Sequence, residues 1–408
     1  MSLIHAIKNR LMAIVNALGI DIRRYAPDSN PRCVTLSPAS EPKGRVLLAY
    51  ILDPFLVKPG IPVSTSHTHH SESVLIAETW LKHGYSVDVI DYRNYGFIQR
   101  ERYDFFISAR THLETIAARL NPDCVKIAHL DTSHYASNNH ASYNRLLDLQ
   151  RRRGLSLPGS ARFVEPNRAI EHAHYGVALG NEVTLGTYRY ANKPLFPLFV
   201  PAALHFPWDA DKNFHACRNR FLWFGSGGMV HKGLDLTLEA FAGMPEMQLT
   251  VCGPVEAERE FASAFHKELH QTANIRTVGW VDIASTDFRQ IARHTVGIVY
   301  PSCAEGQAGA VVTCLSAGFI PIISRESGIP VGDFGLLLNG YSVEDIRSAV
   351  RYISALPAEE LSARARRAWE YAATYHSHDA YLTAYGKIVQ KIIADSAKQP
   401  MARSHKKD

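Results

Sequence analysis

The residues with the clearest chemical potential are a lysine and a glutamate, each in a turn that follows a predicted buried strand. Lys232 lies in FLWFGSGGMVHKG (221–233), where an apolar strand runs into a glycine-rich turn before a helix. Glu305 lies in YPSCAEGQAG (300–309), between a second apolar strand and the next helix. In open α/β sheets, ligands bind outside the carboxyl ends of the strands. A lysine and helix N-termini there suit a phosphate, and a glutamate suits sugar hydroxyl groups.

The elements that would position these residues alternate between strands and helices along most of the chain, which predicts parallel sheets with right-handed crossovers. The predicted strands are 45–52, 86–91, 103–108, 124–130 and 175–179 in the first half, and 220–225, 248–252, 275–278, 296–300 and 320–324 in the second, with an edge strand at 335–338. The predicted helices are 71–83, 113–120, 141–153 and 182–190, then 343–355, 358–375 and 378–394. The proline- and aromatic-rich segment 192–206 lacks periodicity and is interpreted as a linker.

The 408 residues exceed what one ordinary core accommodates, so two main domains are expected. The predicted fold class is α/β, with two facing, doubly wound, Rossmann-like domains. The predicted segments are an amphipathic helix (1–25), a first domain (26–200), a second domain (201–375), a C-terminal helix (376–396) and a disordered basic tail (397–408).

The composition, 46% apolar and 20% charged, predicts a soluble globular protein. The net charge of +5 fits an anionic substrate or loose contact with a membrane surface, whereas nucleic-acid binding would need a concentrated basic stripe. The six cysteines are scattered without a C-x-x-C pair, which favours buried thiols in a reducing, cytosolic compartment. No stretch of the sequence is long and apolar enough to span a membrane.

Residues 1–25 carry apolar side chains such as Leu3, Ile7 and Leu11 at helical spacing, with basic residues among the polar positions. One interpretation is a helix that lies on the inner face of a membrane, and the other is a helix packed on the first domain. A signal peptide is less consistent with the segment because Asn16 interrupts its apolar region.

The segment from about residue 220 to 327 resembles the retaining nucleotide-sugar glycosyltransferases of the GT-B fold, specifically glycosyltransferase family four, the glycosyl transferases of group 1. The resemblance is weaker but collinear from residue 45 to the C-terminus. It implies that the second domain binds a nucleotide diphosphate sugar and the first domain binds the acceptor. It also implies that the C-terminal helix crosses back to the first domain.

In that family, two basic side chains grip the donor diphosphate: an arginine in the turn after the first strand of the second domain, and a lysine six residues later. This chain has Lys232 followed by Gly233, but Ser226 stands in place of the arginine. The resemblance implies that Lys232 stabilises the leaving diphosphate. We also expect the backbone amides of Ser226, Gly227 and Gly228 to surround phosphate oxygens. The alternative is a lysine that is merely solvated at a helix start.

The family also carries two glutamates separated by seven residues, the first near the donor sugar and the second on the ribose. Glu305 matches the first, whereas Thr313 replaces the second and would hydrogen-bond the ribose more weakly than a carboxylate. The alternative for Glu305 is an acid that only stabilises the helix N-terminus. The remaining predicted donor-binding residues are Gly306, Gln307, Ala308 and Gly309, which open the following helix.

Related enzymes commonly have a histidine at the end of a first-domain strand, where it reaches the donor sugar. Here the loop after strand 124–130 reads Asp131-Thr132-Ser133-His134, and His134 is the predicted catalytic residue, with His129 as the alternative. In a retaining mechanism this histidine would orient the sugar, and the leaving phosphate would deprotonate the acceptor. Carboxylates near the cationic sugar of the transition state would stabilise it.

Two patterns resemble metal sites. In His67-Thr68-His69-His70, adjacent histidines at a loop–helix boundary do not converge on one ion without further ligands, so acceptor binding or the cleft rim is the better interpretation. Asp209-Ala210-Asp211 imitates a D-x-D motif but follows the predicted linker and is expected on the surface. We therefore predict no obligatory metal and no cofactor besides the donor.

The sequence thus predicts a retaining glycosyltransferase, a hexosyltransferase that is cytoplasmic or peripheral on the inner face of a membrane. It would transfer a sugar from a nucleotide diphosphate sugar to a glycan or lipid-linked acceptor in surface polysaccharide biosynthesis. One alternative is a non-catalytic nucleotide-sugar-binding protein, motivated by Ser226 and Thr313. The other is a GT-B epimerase or phosphorylase, although nothing in the sequence marks the pyridoxal lysine that a phosphorylase needs.

Overall fold

In the computed structural model, residues 33–58, 60, 63–111 and 113–398 are described. The predicted helix at 1–25 and most of the predicted tail lie outside these residues. From Cys33 onward the chain forms one unit that contains two β-sheets.

The first sheet lies in the N-terminal half. Its strands are β1 (Cys33–Leu36), β2 (Arg45–Tyr50), β3 (Ser86–Asp91), β4 (Phe105–Ala109), β5 (Val125–Leu130), β6 (Tyr175–Leu179) and β7 (Leu195–Leu198). Its helices are α1 (Thr68–Lys82), α2 (Leu113–Ala117), α3 (Tyr135–Arg153), α4 (Ala169–His172) and α5 (Glu182–Gly186). The order is β1-β3-β2-β4-β5-β6-β7, parallel except for β1. The central strands are apolar and buried almost throughout, as expected for a parallel sheet with both faces covered.

The second sheet is parallel throughout, in the order β10-β9-β8-β11-β12-β13. Its strands are β8 (Arg220–Phe224), β9 (Gln248–Cys252), β10 (Ile275–Gly279), β11 (Gly297–Tyr300), β12 (Ile320–Ile323) and β13 (Leu336–Leu337). Its helices are α6 (Phe214–Cys217), α7 (Leu234–Ala242), α8 (Arg259–Ala264), α9 (His266–His270), α10 (Thr286–Arg293), α11 (Gly309–Ser316), α12 (Val343–Ala355) and α13 (Ala358–Tyr375), before the terminal α14 (His378–Lys398).

Each sheet has a point at which the strand order reverses. In the first sheet, β3 lies on one side of β2 and β4 to β7 follow on the other, so the reversal lies between β2 and β4. In the second sheet, the reversal lies between β8 and β11. Loops that leave neighbouring strands at such a point diverge to opposite faces and leave a crevice between them. The loops after β8 and β11 carry Lys232 and Glu305, which explains how residues distant in sequence reach one place.

Helix α14 returns from the second half to the first. Tyr385 of α14 accepts a hydrogen bond from the Trp80 indole (3.3 Å), and Tyr381 donates one to Glu72 (3.3 Å). Both partners lie on α1, and all four side chains are buried. The predicted architecture of two doubly wound domains with a C-terminal helix that crosses back is therefore confirmed.

The sequence-based elements differ from the structure mainly at sheet edges. The segment 192–206, interpreted as a linker, contains β7, an edge strand whose Pro197 is tolerated because an edge strand need not donate on its outer side. The four-residue β1, at the other edge, was not predicted. Helix α3 begins at Tyr135, six residues before the predicted start. Within the described residues, no helix is long and apolar enough to cross a membrane.

Candidate active site

A cavity of about 410 Å³ lies between the two sheets, at the carboxyl ends of their strands. This volume falls in the range of about 300–1,000 Å³ that is typical of small-molecule sites. The first half contributes lining residues that include His67, His69, Arg110, Asp131 and Arg162, and the second half contributes residues that include Ser226, His231, Lys232, Trp280, Glu305 and Thr313. Lys232 and Glu305 thus line one cavity together.

Local backbone geometry places Lys232 at the start of α7. The next residue, Gly233, has a φ of +71°, and a Cβ atom there would lie 2.6 Å from the carbonyl oxygen of Pro301. Only glycine fits a left-handed position that another backbone approaches so closely. The Lys-Gly pair therefore holds the loop after β8 against the loop that carries Glu305.

The ammonium group of Lys232 is buried but lacks a carboxylate partner among the described residues. The residue is 4% exposed, and its Nζ donates to the Ser226 hydroxyl at 2.6 Å. Burial, together with the positive charge of Arg162, lowers the pKa of Lys232 to about 8. Since a buried cation with a neutral partner is incompletely compensated, an anion in the cavity would stabilise it.

Glu305 is a partly buried side chain that accepts hydrogen bonds from two hydroxyl groups. Its Oε1 accepts hydrogen bonds from Tyr300 (2.9 Å) and Ser302 (3.0 Å). Burial alone would raise the pKa of Glu305, but the charges of Lys232 and Arg162 outweigh it and lower the pKa. Glu305 is therefore an anion that can accept hydrogen bonds from a ligand or stabilise a positive charge.

His231 joins the loops that form the cavity, a role that its sequence position did not reveal. It is 2% exposed; its Nε2–H donates to the Ala304 carbonyl (2.6 Å), and Nδ1 lies 2.9 Å from the Ser142 hydroxyl on α3. Burial lowers its pKa to about 4, so it is neutral near pH 7. Its position directly before the Lys-Gly pair was the available signal.

Two backbone amides in the segment between β8 and Lys232 bind a carboxylate of the protein itself. Gly227 and Gly228 do not line the cavity, and the backbone amides of Gly228 and Met229 donate to the carboxylate of Glu258 (3.2 Å for Met229). A phosphate could use these amides only by displacing Glu258. Ser226 does line the cavity, through the hydroxyl that binds Lys232.

The residues that precede α11 divide into cavity-lining and packing roles. Gln307, Ala308, Gly309 and Thr313 line the cavity. The Gln307 amide group is nevertheless engaged with Val200 N (2.7 Å) and Gly328 O (3.1 Å), and the Thr313 hydroxyl donates to the Gly309 carbonyl (3.0 Å). Gly306 does not line the cavity; a Cβ there would lie 2.5 Å from the carbonyl oxygen of Asp131, so glycine permits the two halves to approach.

The structure places His134 away from this cavity. It precedes α3, its Nε2 lies 3.0 Å from the Tyr190 hydroxyl, and its ring packs against Tyr135, Tyr188 and Tyr190. The chain turns at Asp131-Thr132, which line the cavity, so that His134 lies beyond them. The catalytic role predicted for His134 is therefore not carried into the proposal below.

The alternative, His129, is enclosed in the first half. It is 1% exposed, does not line the cavity, and its Nε2 lies 3.2 Å from Glu72. Burial would lower the pKa of His129, but the Glu72 carboxylate outweighs it and raises the pKa. The histidines that do line the cavity on this side are His67 and His69, whose rings are 4.2 Å apart at the start of α1.

The cavity lining includes apolar side chains from the loop after β10, which sequence reasoning missed. Trp280, Val281 and Ile283 follow β10, and Phe224 ends β8. Trp280 is 56% exposed although it is the largest apolar side chain type. A tryptophan directly after a strand-ending glycine was the available signal in the sequence, and an exposed aromatic face at a cavity can stack on a flat ligand group.

No group of three or more potential metal ligands converges within the part of the chain that the structure describes. Asp211 is exposed, and Asp209 lies 3.7 Å from Arg293. That sugar transfer needs no obligatory metal stays a prediction.

Part of the second half matches a known protein family. The model of the family described as Glycosyl transferases group 1 matches residues 218–355, a range that contains Lys232 and Glu305. No curated protein sequence matches the chain.

Solved structures define the fold. The chain is 13% identical to sucrose-phosphate synthase from Thermosynechococcus elongatus, with a TM-score of 0.61 over 86% of this chain and 99% of that one. It is 13% identical to Anabaena Alr3699/HepE, solved in complex with UDP and glucose, with a TM-score of 0.54 over 86% and 100%. Against the S. aureus TarM mutant solved with UDP, identity is 11% and the TM-score 0.49 over 69% of this chain; the chain spans 54% of TarM. The likeness to the first two structures, whose TM-scores exceed 0.5, shows that the chain has the GT-B fold.

Proposed function

We propose that the protein is a retaining glycosyltransferase that transfers a sugar from a nucleoside diphosphate sugar to a glycan or lipid-linked acceptor, as in surface polysaccharide biosynthesis. The observation that carries the proposal is the position of Lys232 and Glu305. Both line one cavity at the strand-order reversal of the second sheet, within the range that the group 1 family model matches. The UDP and glucose in the HepE structure are consistent with such a donor.

In the proposed reaction, Lys232 binds the donor diphosphate. The bond between the anomeric carbon and the phosphate oxygen breaks, and its electron pair stays on that oxygen. The ammonium group stabilises this developing charge, an effect worth about 10²–10³ in rate when a single such donor is removed. The diphosphate would in turn supply the counter-charge that Lys232 lacks.

Glu305 is placed to act on the sugar. Its carboxylate can accept hydrogen bonds from sugar hydroxyls and can stabilise the positive charge that the sugar acquires as the leaving group departs. The acceptor oxygen forms its bond to the anomeric carbon on the face that the phosphate leaves, and the acceptor proton passes to that phosphate.

Asp131, the carboxylate on the opposite wall, supports this assignment of the proton. It is paired with Arg110, and although burial alone would raise its pKa, this pairing lowers it to about 2. A carboxylate with so low a pKa is a poor general base near neutral pH. Proton transfer to the leaving phosphate needs no such base.

Glu258 favours a second candidate, a non-catalytic nucleotide-sugar-binding protein. Its carboxylate occupies the amides of Gly228 and Met229, next to the predicted diphosphate position. If the donor does not displace this carboxylate, its diphosphate binds without hydrogen bonds from these two amides, and the leaving group is stabilised less.

Thermal-shift assays against a panel of nucleoside diphosphate sugars, followed by donor hydrolysis and transfer assays on the hits, separate the two candidates. We expect turnover that Lys232→Ala and Glu305→Ala each reduce by about 10²–10³. Lys267→Ala, an exposed lysine on α9 outside the cavity, is the matched control and should behave as the wild type. Binding without turnover, even with candidate acceptors, would favour the second candidate, and absence of binding would contradict both.

A further inference from the structure

Arg162 belongs to the first half of the chain but faces the donor side of the cavity. It lies in the connection between α3 and α4, after the 3₁₀ turn Pro158–Ser160, and lines the cavity together with Ser226 and Lys232. Nothing in the sequence indicated this role, because position 162 is far from either glycine-rich loop.

The connection that carries Arg162 is held on both sides. The carbonyl of Arg162 accepts a hydrogen bond from the Asn138 side chain of α3 (2.7 Å), and the Asn139 side chain exchanges two with the backbone of Val164 (2.8 and 2.9 Å). On the other side, the Ser160 carbonyl accepts the backbone N–H of His231, next to Lys232 (3.1 Å). The backbone of Arg162 is thus fixed to both halves.

The side chain of Arg162 runs over the glycine turn. A Cβ atom built on Gly228 would lie 2.4 Å from Cγ of Arg162 and 2.7 Å from its Cδ, and the φ of Gly228 is +91°. Glycine at this position therefore provides the space for the arginine stem as well as the turn conformation. The sequence alone indicates the turn conformation but not the space for the arginine stem.

The guanidinium group has no hydrogen-bond or ion-pair partner among the described residues, unlike Arg110, which is paired with Asp131, and Arg152, which binds Asp235. Its charge nevertheless reaches the cavity. After burial, the charges of Lys232 and Arg162 are the main causes that lower the pKa of His67, and Arg162 is the main charge that lowers the pKa of Lys232. Two cations therefore face the same space, with Glu305 and Glu258 as the anions that act on Lys232.

We propose that Arg162 is the second diphosphate-binding cation of this site, supplied across the cleft by the first half of the chain, in a protein that has Ser226 where related enzymes have an arginine. This inference rests on the proposed function, because it requires a nucleoside diphosphate in the cavity. The planar guanidinium binds two phosphate oxygens at once, whereas Lys232 acts as a point charge. Donor binding then depends on the contact between the two halves, since each half supplies one cation.

The test compares affinities for UDP, GDP and ADP with those for the matching nucleosides, by titration calorimetry for the diphosphates and saturation-transfer NMR for the nucleosides. Hydrogen bonds to charged groups predict that Arg162→Ala weakens diphosphate binding by about ten- to a hundredfold while nucleoside binding changes little. Arg162→Gln, which retains the stem over Gly228, should show the same loss. Arg168→Ala, six residues further along and outside the cavity, should bind as the wild type.

Rescue distinguishes binding from a structural role. In the Arg162→Ala background, Ser226→Arg should recover most of the lost diphosphate affinity, because it restores a cation from the other wall. Diphosphate affinity in both Arg162 variants within twofold of the wild type, or an equal loss of nucleoside binding, would overturn the inference but leave the proposed function intact. If the wild type binds no nucleoside diphosphate, both fail.

Discussion

The two walls of the cleft satisfy their charged groups differently. Behind the first wall, Glu72 accepts hydrogen bonds from Tyr50 (2.9 Å) and Tyr381 (3.3 Å) and lies 3.2 Å from His129; on the wall itself, Asp131 is paired with Arg110. On the second wall, the described partners of Lys232 and Glu305 are neutral hydroxyl groups.

This difference separates charges that hold the structure from charges that await a ligand. A buried charge is compensated in the folded protein when its partner carries the opposite charge. Removal of one of the two leaves the other buried without a counter-charge. A buried charge with only neutral partners is compensated further when an ion binds. Substitution of the paired charges on the first-half side should therefore act mainly on stability. Substitution of Lys232, Glu305 and Arg162, which have no ion-pair partner among the described residues, should act mainly on binding and catalysis.

Glu72→Ala is expected to have the largest effect on stability. Because it removes the common partner of Tyr50, Tyr381 and His129, it should lower the free energy of unfolding by about 3–5 kcal/mol, as measured by urea denaturation. Glu78→Ala is the matched control on the same helix. Glu78 pairs with Lys82 at the surface (2.8 Å), so its loss should cost about 0.2–1 kcal/mol. Similar losses in both variants would contradict the structural role of the first wall.

Lys232→Met should instead act on turnover. We expect kcat/KM for the donor to fall by about 10²–10³ while the free energy of unfolding is unchanged or higher, since the substitution removes an incompletely compensated buried cation. Lys212→Met is the control: Lys212 is also buried with its pKa lowered by burial to about 8, but it donates to the Gly318 carbonyl (3.3 Å) outside the cavity. Equal losses of turnover in both variants would remove the distinction between the walls.

The same comparison explains what could be read from the sequence. The strands of both sheets were predictable because continuous apolar runs bounded by glycine and proline mark buried parallel strands. That Lys232 and Glu305 lie near each other was predictable because each lies in a turn that follows such a strand. The edge strands β1 and β7 were not, since they are only four residues long and partly exposed, and their pairing depends on neighbours distant in sequence.

Contacts between the halves escaped the sequence for a related reason. Arg162, His231 and Glu258 act on the site through tertiary packing, and local patterns carry no information about which loop another loop meets. The amides of Gly228 and Met229 illustrate this, because a glycine-rich turn predicts a free phosphate cradle whereas the fold brings Glu258 to it. His134 illustrates the converse, a histidine at a strand end that the chain carries past the cavity.

The pH dependence of donor binding tests whether Lys232 is the free cation of the second wall. With a pKa of about 8 in the free protein, Lys232 is mostly charged at pH 7 and mostly neutral at pH 9, so diphosphate affinity should fall about tenfold across this interval. Binding near pH 8.5 should be accompanied by proton uptake, detected as a difference in calorimetric enthalpy between Tris and EPPS buffers. Lys232→Arg should remove both effects, because arginine stays charged throughout. Retention of the full pH dependence in this variant would assign it to another group.

Thr313→Val should give the smallest effect. It tests whether Thr313, which stands where related enzymes have a glutamate, still hydrogen-bonds the donor. The Thr313 hydroxyl donates its proton to the Gly309 carbonyl, which leaves its oxygen free to accept a hydrogen bond from a ribose hydroxyl. Loss of one neutral hydrogen bond predicts an increase of about two- to tenfold in the donor KM. Ser316→Ala is the control, because Ser316 lies on the same helix and donates to the Val312 carbonyl (3.0 Å) but does not line the cavity.

Thr313→Glu should lower KM below the wild-type value, and Thr313→Val should reduce the preference for a nucleoside diphosphate over its 2′- or 3′-deoxy analogue. If both threonine variants match Ser316→Ala in KM and in this preference, the Thr313 hydroxyl serves only its hydrogen bond within the helix. The second wall then binds the donor through its charged groups alone.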